Sequence, residues 1–222
     1  MAKNNREGRL ILVLGGVRSG KSRFAEELAA KLAVKHVAKS TLPRASQPVP
    51  KVAYLATAQV MDQEMEERVR LHRLRRPQSW TTVECALDAA AAVGREGRDS
   101  QVLLLDCLTI YISNLLLKQF HARPGLETAE VVDSSTAEEI EDTVLAEVDL
   151  LVKNALASRA AVIVVSNEVG AGVVPDYPLG RLFRDLAGRA NQLLAGAADE
   201  VYALLAGIPV DIKALSKEQG LL

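Results

Sequence analysis

An apolar run, Leu10–Leu14, passes directly into Gly15-Gly16-Val17-Arg18-Ser19-Gly20-Lys21-Ser22, after which the chain takes up helical periodicity. This is the complete G-x-x-x-x-G-K-[ST] pattern, in the strand-to-helix context in which it works as a phosphate-binding loop. Its glycines can take backbone conformations closed to other residues. Successive N–H groups then converge on an anion, backed by the positive end of the following helix. Lys21 supplies a point charge for the outer phosphates, and the Ser22 hydroxyl a ligand for Mg2+. The feature commits the chain to a strand–loop–helix core and to a nucleoside triphosphate or a close analogue. In the helix that follows, Phe24, Leu28 and Leu32 share a face, and Glu27 can pair with Lys31.

The same alternation continues. Short apolar runs at Val52–Ala56, Val102–Leu105, Ala161–Val165 and Val201–Leu205 join Leu10–Leu14 as predicted strands. Helical patterns at Ser22–Leu32, Asp62–Arg73 and Glu138–Leu156 lie between them, the last carrying Ile140, Val144, Val148 and Leu151. Near-continuous apolar strands alternating with helices predict an α/β fold with a mostly parallel sheet covered on both faces. We expect one domain over residues 1–222, interrupted by surface loops at about 34–51 and 120–136, where prolines and polar residues replace periodic apolar ones.

A net charge of −1 speaks against a general nucleic-acid or membrane-surface binder. No apolar run approaches the ~20 residues needed to span a bilayer. The polar start, Met1–Arg9, lacks the apolar core of a leader, so a cytoplasmic location is expected. Cys85 and Cys107 have neither metal-ligand spacing nor a disulfide framework, and read as buried thiols in a reducing compartment.

Three further segments carry chemistry. The strand Val102–Leu105 ends in Asp106, a carboxylate that in such folds binds Mg2+ directly or through water, although many strands end in Asp simply as a turn residue. The stretch Asp62–Pro77 places His72 among Arg68, Arg70, Arg73, Arg75 and Arg76. Forked guanidinium contacts suit polyphosphate, while the plainer reading is a solvated basic helix with a half-buried histidine. The third is Ser166–Pro175, polar and glycine-rich after a strand, with Arg181, Arg184, Asp185, Arg189 and Asn191 beyond it. It is a ligand edge or an ordinary strand-to-helix connection.

The segments LVLGGVRSGKSRFAE, YLATAQVMDQEMEERVRLHRLRRP with WTTVE, LLLDCLT with Asn114, VSNEVGAGVVP and RLFRDLAGRANQLLAGAADEVY run in order through most of the chain. Together they resemble the bifunctional adenosylcobinamide kinase/adenosylcobinamide-phosphate guanylyltransferase enzymes of cobalamin biosynthesis. The loop alone is shared by very many NTPases; its combination with HRxxRP and NEVGxGxVP is far more restricted.

The resemblance implies a RecA-like P-loop NTPase domain. It implies phosphorylation of adenosylcobinamide with ATP or GTP, then transfer of GMP from GTP to the resulting phosphate through a GMP-histidine intermediate. The matching histidine is His72, with Lys21 and Asp106 as its catalytic partners. The bound nucleotide is then expected among Gly15, Gly16, Val17, Arg18, Ser19, Gly20, Lys21 and Ser22. Thr57, Ala58, Gln59, Arg73, Leu74, Arg75, Arg76 and Asp106 complete that set, with Glu84 facing guanine. Mg2+ falls to Ser22 and Asp106. Adenosylcobinamide and its phosphate are the implied small-molecule partners, without nucleic acid or membrane span, and a homo-oligomer is expected, a trimer in many members. Some members carry a histidine pair, where this chain has Leu71 before His72. The alternatives are a guanylyltransferase lacking the kinase activity and a nucleotide-sensing P-loop protein, for which a histidine nucleophile would be superfluous.

Overall fold

The predicted strands all form, and each is an inner or near-inner strand of a single sheet. The computed structural model describes residues 8–38, 50–59, 67, 70, 73, 74, 76–126 and 131–221. The first half of the chain runs β1 (Leu10–Gly15), α1 (Lys21–Ala38), β2 (Val52–Ala56), β3 (Thr81–Glu84), α2 (Ala89–Glu96), β4 (Val102–Asp106) and α3 (Leu108–His121). The second half runs α4 (Ser134–Ala157), β5 (Ala161–Asn167), α5 (Pro178–Ala197), β6 (Glu200–Leu205), β7 (Ile208–Asp211) and α6 (Ile212–Glu218). The sheet order is β3-β2-β4-β5-β1-β6-β7, parallel throughout except for the β6–β7 hairpin.

Helices cover both faces, as an inner parallel strand requires. On one side α1 packs through Ala25, Ala29, Leu32 and Ala33 against Ile11, Val13, Leu104 and Ile163. The buried stripe is thus made mostly of alanines, with Phe24 and Leu28 at its margins, so helix and sheet approach closely. Glu27 pairs with Arg23, one turn earlier, at 3.0 Å, rather than with Lys31. On the other side α2 to α5 share a larger core with Leu103, Leu105, Val162 and Val164. The expected stripe Ile140, Val144, Val148 and Leu151 is buried there. Asp133 caps α4, accepting from the Thr136 backbone N–H at 2.9 Å.

Two expectations shift. Helix α1 continues to Ala38, so the loop expected from Val34 starts later, because no breaker precedes Pro43; residues 39–49 lie outside the described residues. Likewise α3 reaches His121 and buries Phe120 before Pro124-Gly125, and α4 begins at Ser134, which narrows the second loop from both ends. Strands β3 and β7 carry no apolar run, because each lies at a sheet edge and is largely exposed. The expected helix Asp62–Arg73 lies largely outside the described residues; Glu67, Arg70, Arg73 and Leu74 are helical.

Both cysteines are buried and free. Burial first, then neighbouring carboxylates, pushes the Cys85 thiol up to about 12 and the Cys107 thiol up to about 11. The folded state therefore holds more protons than the unfolded chain above an ordinary thiol pKa near ~8.5. The stability these groups contribute is complete below that pH and is lost as pH rises through the folded values. Urea midpoints should fall between pH 8.5 and 10, and a Cys85→Ala/Cys107→Ala double variant should lose part of that slope. An identical slope in the variant would show that the thiols do not cause it.

Candidate active site

Parallel pairing levels the strand ends. Gly15 registers with Asn167, Asp106 with Ala56 and Val165, and Ala56 with Glu84. The carboxyl ends of β1, β5, β4, β2 and β3 therefore deliver their side chains and following loops to one edge, where open α/β sheets bind ligands.

The loop after β1 has the geometry its sequence demands. Arg18 and Gly20 take positive φ, at 59° and 90°. A side chain at Gly15 would meet Ser19 Oγ at 2.4 Å and the Leu204 carbonyl at 3.0 Å, so the loop would have to shift to accept one. The Ser19 N–H donates to the Gly16 carbonyl at 3.2 Å, and the Gly207 N–H of the β6–β7 turn donates to the Ser19 carbonyl at 3.1 Å. Lys21 is 9% exposed, and its Nζ donates to the Gly16 carbonyl at 3.0 Å. The buried ammonium is therefore held over the loop that would receive phosphate.

Beside the loop lies a cavity of about 650 Å3 that also reaches Tyr54, Ala58, Gln59, Thr82, Glu84 and Asn167. Arg18, Lys21, Arg73 and Arg76 line it against two carboxylates, Glu84 and Asp106, an excess of positive charge that favours a polyphosphate. Arg73 Nη2 donates to Glu84 Oε1 at 2.8 Å across exposed surface. Arg76 is 9% exposed, with its guanidinium carbon 3.6 Å from the centre of the Tyr54 ring. The Tyr54 hydroxyl donates to Asp106 Oδ2 at 3.1 Å. Burial, and then the Asp106 charge, hold the Tyr54 phenol far above its ordinary pKa, so it is a hydrogen-bond donor at any working pH.

Among the described residues no three His, Cys, Asp or Glu side chains gather into a resident metal centre. Asp106 and Ser22 instead offer two hard oxygens on the wall that carries Lys21. Such a set fits Mg2+, which keeps several waters and takes phosphate oxygens rather than a full protein cage.

Of the residues expected at the nucleotide, Val17, Arg18, Lys21, Ser22, Ala58, Gln59, Arg73, Arg76, Glu84 and Asp106 meet at this cavity. Thr57 does not line it: its hydroxyl donates to the Cys107 carbonyl and accepts from the Cys107 N–H, both at 2.8 Å, tying the end of β2 to the end of β4. Leu74 is exposed and does not line it, and Leu71, His72 and Arg75 lie outside the described residues. Within Ser166–Pro175 only Asn167 reaches the cavity. Arg181 is engaged by the Pro175 and Asp176 carbonyls and Arg189 by Glu141, while Asn191 holds the Asn167 carbonyl at 3.1 Å. Tyr54 and Thr82 lie within the quoted segments YLATAQV and WTTVE, but the sequence assigns them no place at the site. Their one signal is an aromatic hydroxyl and a threonine near the carboxyl ends of neighbouring strands, which becomes informative only once the register is known.

Residues 11–212 match the sequence pattern described as cobinamide kinase / cobinamide phosphate guanyltransferase, nearly the whole chain. The chain belongs to this family. The bifunctional adenosylcobalamin biosynthesis protein CobU of Salmonella typhimurium is 38% identical over 204 residues, covering 92% of this chain and 99% of the relative. The protein of the same name from Escherichia coli is also 38% identical over 204 residues. The bifunctional adenosylcobalamin biosynthesis protein CobP of Pseudomonas aeruginosa is 36% identical over 202 residues, covering 91% of this chain and 96% of the relative. With coverage this complete on both sides, the resemblance read from the motifs stands as family membership.

In this member of the cobinamide kinase family, the floor of the site is held by Asn114, whose Nδ2 donates to the Thr57 carbonyl at 2.8 Å and the Ala86 carbonyl at 3.0 Å. One amide thus fastens the segments after β2 and β3 to α3. Asn114→Ala should cost about 1–3 kcal/mol, because two partly buried carbonyls lose their donor. Urea unfolding of the nucleotide-free protein measures this, and an unchanged midpoint would mean that water replaces the amide without loss.

Proposed function

We propose that this chain, acting as a single P-loop domain in the cytoplasm, phosphorylates adenosylcobinamide and then transfers GMP from GTP to adenosylcobinamide phosphate, giving adenosylcobinamide-GDP. The names of the relatives support both halves of this reading. The observation that carries it to particular residues is that Arg73, next in sequence to His72, lines the same cavity as Lys21, Ser22 and Asp106. One triphosphate site can then serve both reactions. We further propose a homo-oligomer, a trimer by analogy with many family members.

In the kinase step, the aminopropanol hydroxyl oxygen attacks the γ-phosphorus of ATP or GTP. The bridge to the β-phosphate breaks, the nucleoside diphosphate leaves, and the hydroxyl proton is released. In the transfer step, a neutral imidazole nitrogen of His72 attacks the α-phosphorus of GTP. A P–N bond forms as the bridge to the β-phosphate breaks and pyrophosphate departs. A phosphate oxygen of adenosylcobinamide phosphate then attacks the same phosphorus, the P–N bond breaks and the imidazole is restored.

Lys21, Arg73 and Arg76 take up charge on the leaving pyrophosphate, and backbone N–H groups of Gly15–Ser22 bind the phosphate oxygens. Ser22 and Asp106 would hold Mg2+, which would neutralise phosphate charge when bound. Glu84 accepts from the guanine edge in this reading, exchanging its Arg73 partner for the base.

The protein should acquire acid-labile label from Mg2+ and GTP labelled on the α-phosphate, without corrinoid, and His72→Ala should acquire none while still binding GTP. Labelling that persists in His72→Ala would remove that residue from the chemistry. Absence of label from the unmodified protein, with GTP bound, would leave a kinase or a nucleotide sensor. Lys21→Ala should weaken triphosphate binding and both reactions by at least about tenfold, as expected for a charge-assisted contact. Unaltered binding would overturn the assignment of the phosphate loop.

A further inference from the structure

Tyr54 opens the YLATAQV segment without a site role assigned to it, yet it joins the two halves of the charge arrangement. It lies on β2 with Leu104 of β4 directly across on one side and Thr82 of β3 on the other. Asp106 is two residues beyond Leu104, so it faces the same side of the sheet and is the diagonal neighbour of Tyr54. A phenol can bridge that diagonal, and its hydroxyl reaches Asp106 Oδ2 at 3.1 Å. The opposite attachment uses the ring. The Arg76 guanidinium stacks on its face at 3.6 Å, and Arg76 Nη1 donates to Thr82 Oγ1 at 3.4 Å. Tyr54 and Arg76 are only 6% and 9% exposed, so neither side chain can drift into solvent.

The geometry makes chemical sense of the stack. A guanidinium lying on an aromatic face uses none of its N–H donors for that contact, so its edge remains directed in the plane where forked phosphate contacts form. A carboxylate has about four lone-pair sites, so a phenolic hydrogen bond to one oxygen is compatible with a role on the metal side. We propose that Tyr54 is the positioning residue of the triphosphate site. Its hydroxyl fixes Asp106 on the metal side, and its ring fixes Arg76 on the phosphate side. The two charges are thereby held at a set spacing through one rigid side chain. This rests on the reading that a Mg2+–triphosphate binds at the cavity.

Equilibrium binding of a fluorescent GTP analogue, in EDTA and across a Mg2+ titration, separates the two attachments. Tyr54→Phe keeps the ring and loses the hydroxyl. Its affinity in EDTA should stay within about twofold of the parent, whereas the Mg2+ concentration for half-maximal tightening should rise about tenfold, the loss expected for a hydrogen bond to a charged group. Tyr54→Leu loses both attachments and should also bind about tenfold more weakly in EDTA, the scale of a desolvated cation–π contact. In an Arg76→Met background the same Tyr54→Leu change should cause no further loss in EDTA, since the ring acts through that guanidinium.

A merely structural tyrosine would lower the thermal midpoint of Tyr54→Phe and leave its Mg2+ requirement where it was. That result, or a lower Mg2+ requirement, overturns the proposal even if Tyr54→Leu does not fold. Equal losses on Tyr54→Leu with and without Arg76 would refute the ring's role. Failure of the parent protein to bind the analogue is a different outcome: it removes the triphosphate site and the functional reading above.

Discussion

Parallel backbone pairing decides where everything in this protein can react. Because β1, β5, β4, β2 and β3 run in the same direction in fixed register, Gly15, Asn167, Asp106, Ala56 and Glu84 end on one line. Shifting any of these strands by one residue would exchange its two faces and turn Asp106 or Tyr54 to the other side of the sheet. Both faces are buried, so side-chain shape opposes that slip: Leu103 and Leu105 pack into the larger core and Leu104 into the one beneath α1. The edge that carries the candidate site is therefore stabilised by residues remote from the cavity.

Legibility in the sequence followed the same physics. The inner strands could be read because burial on both faces demands uninterrupted apolar runs, and α4 because one buried stripe at a surface helix leaves a clean period. Helix α3 left a weaker mark: Leu108, Tyr111, Ile112, Leu115, Leu116 and Phe120 are all buried, so its pattern approaches all-round hydrophobicity. Edge strands β3 and β7 bury little and leave almost no pattern. Within the site, contiguous motifs exposed Lys21, Ser22, Arg73, Arg76 and Asp106, whose chemistry is local in sequence. Tyr54 and Thr82 act across strands, and a contact between Tyr54 and Asp106, 52 positions apart, has no local signature. Thr57 shows the converse. Its neighbours Ala58 and Gln59 line the cavity, but its own hydroxyl serves the Cys107 backbone.

Electrostatics in the cavity is arranged by burial as much as by residue choice. Lys21 and Arg76 sit in places that exclude most water, which raises the value of any anion they meet. Cys107 sits at the same cavity with its thiol held protonated by burial and by the Asp106 charge, so it does not compete as a nucleophile. Arg73 and Glu84 remain more exposed, where their pairing is weak enough to be exchanged for a ligand.

The alanine stripe of α1 has a mechanical meaning. Lys21 and Ser22 open the helix whose underside rests on the sheet through Ala25, Ala29 and Ala33. Those methyl groups act as a spacer gauge: their size fixes how high the helix rides, and so how far its first turn stands from the strand edge carrying Asp106. A bulkier side chain at Ala25 or Ala29 would tip the helix like a lever and move the phosphate grip without altering any residue that touches the ligand. Selection on nucleotide affinity can therefore reach into a part of the core that has no polar atom.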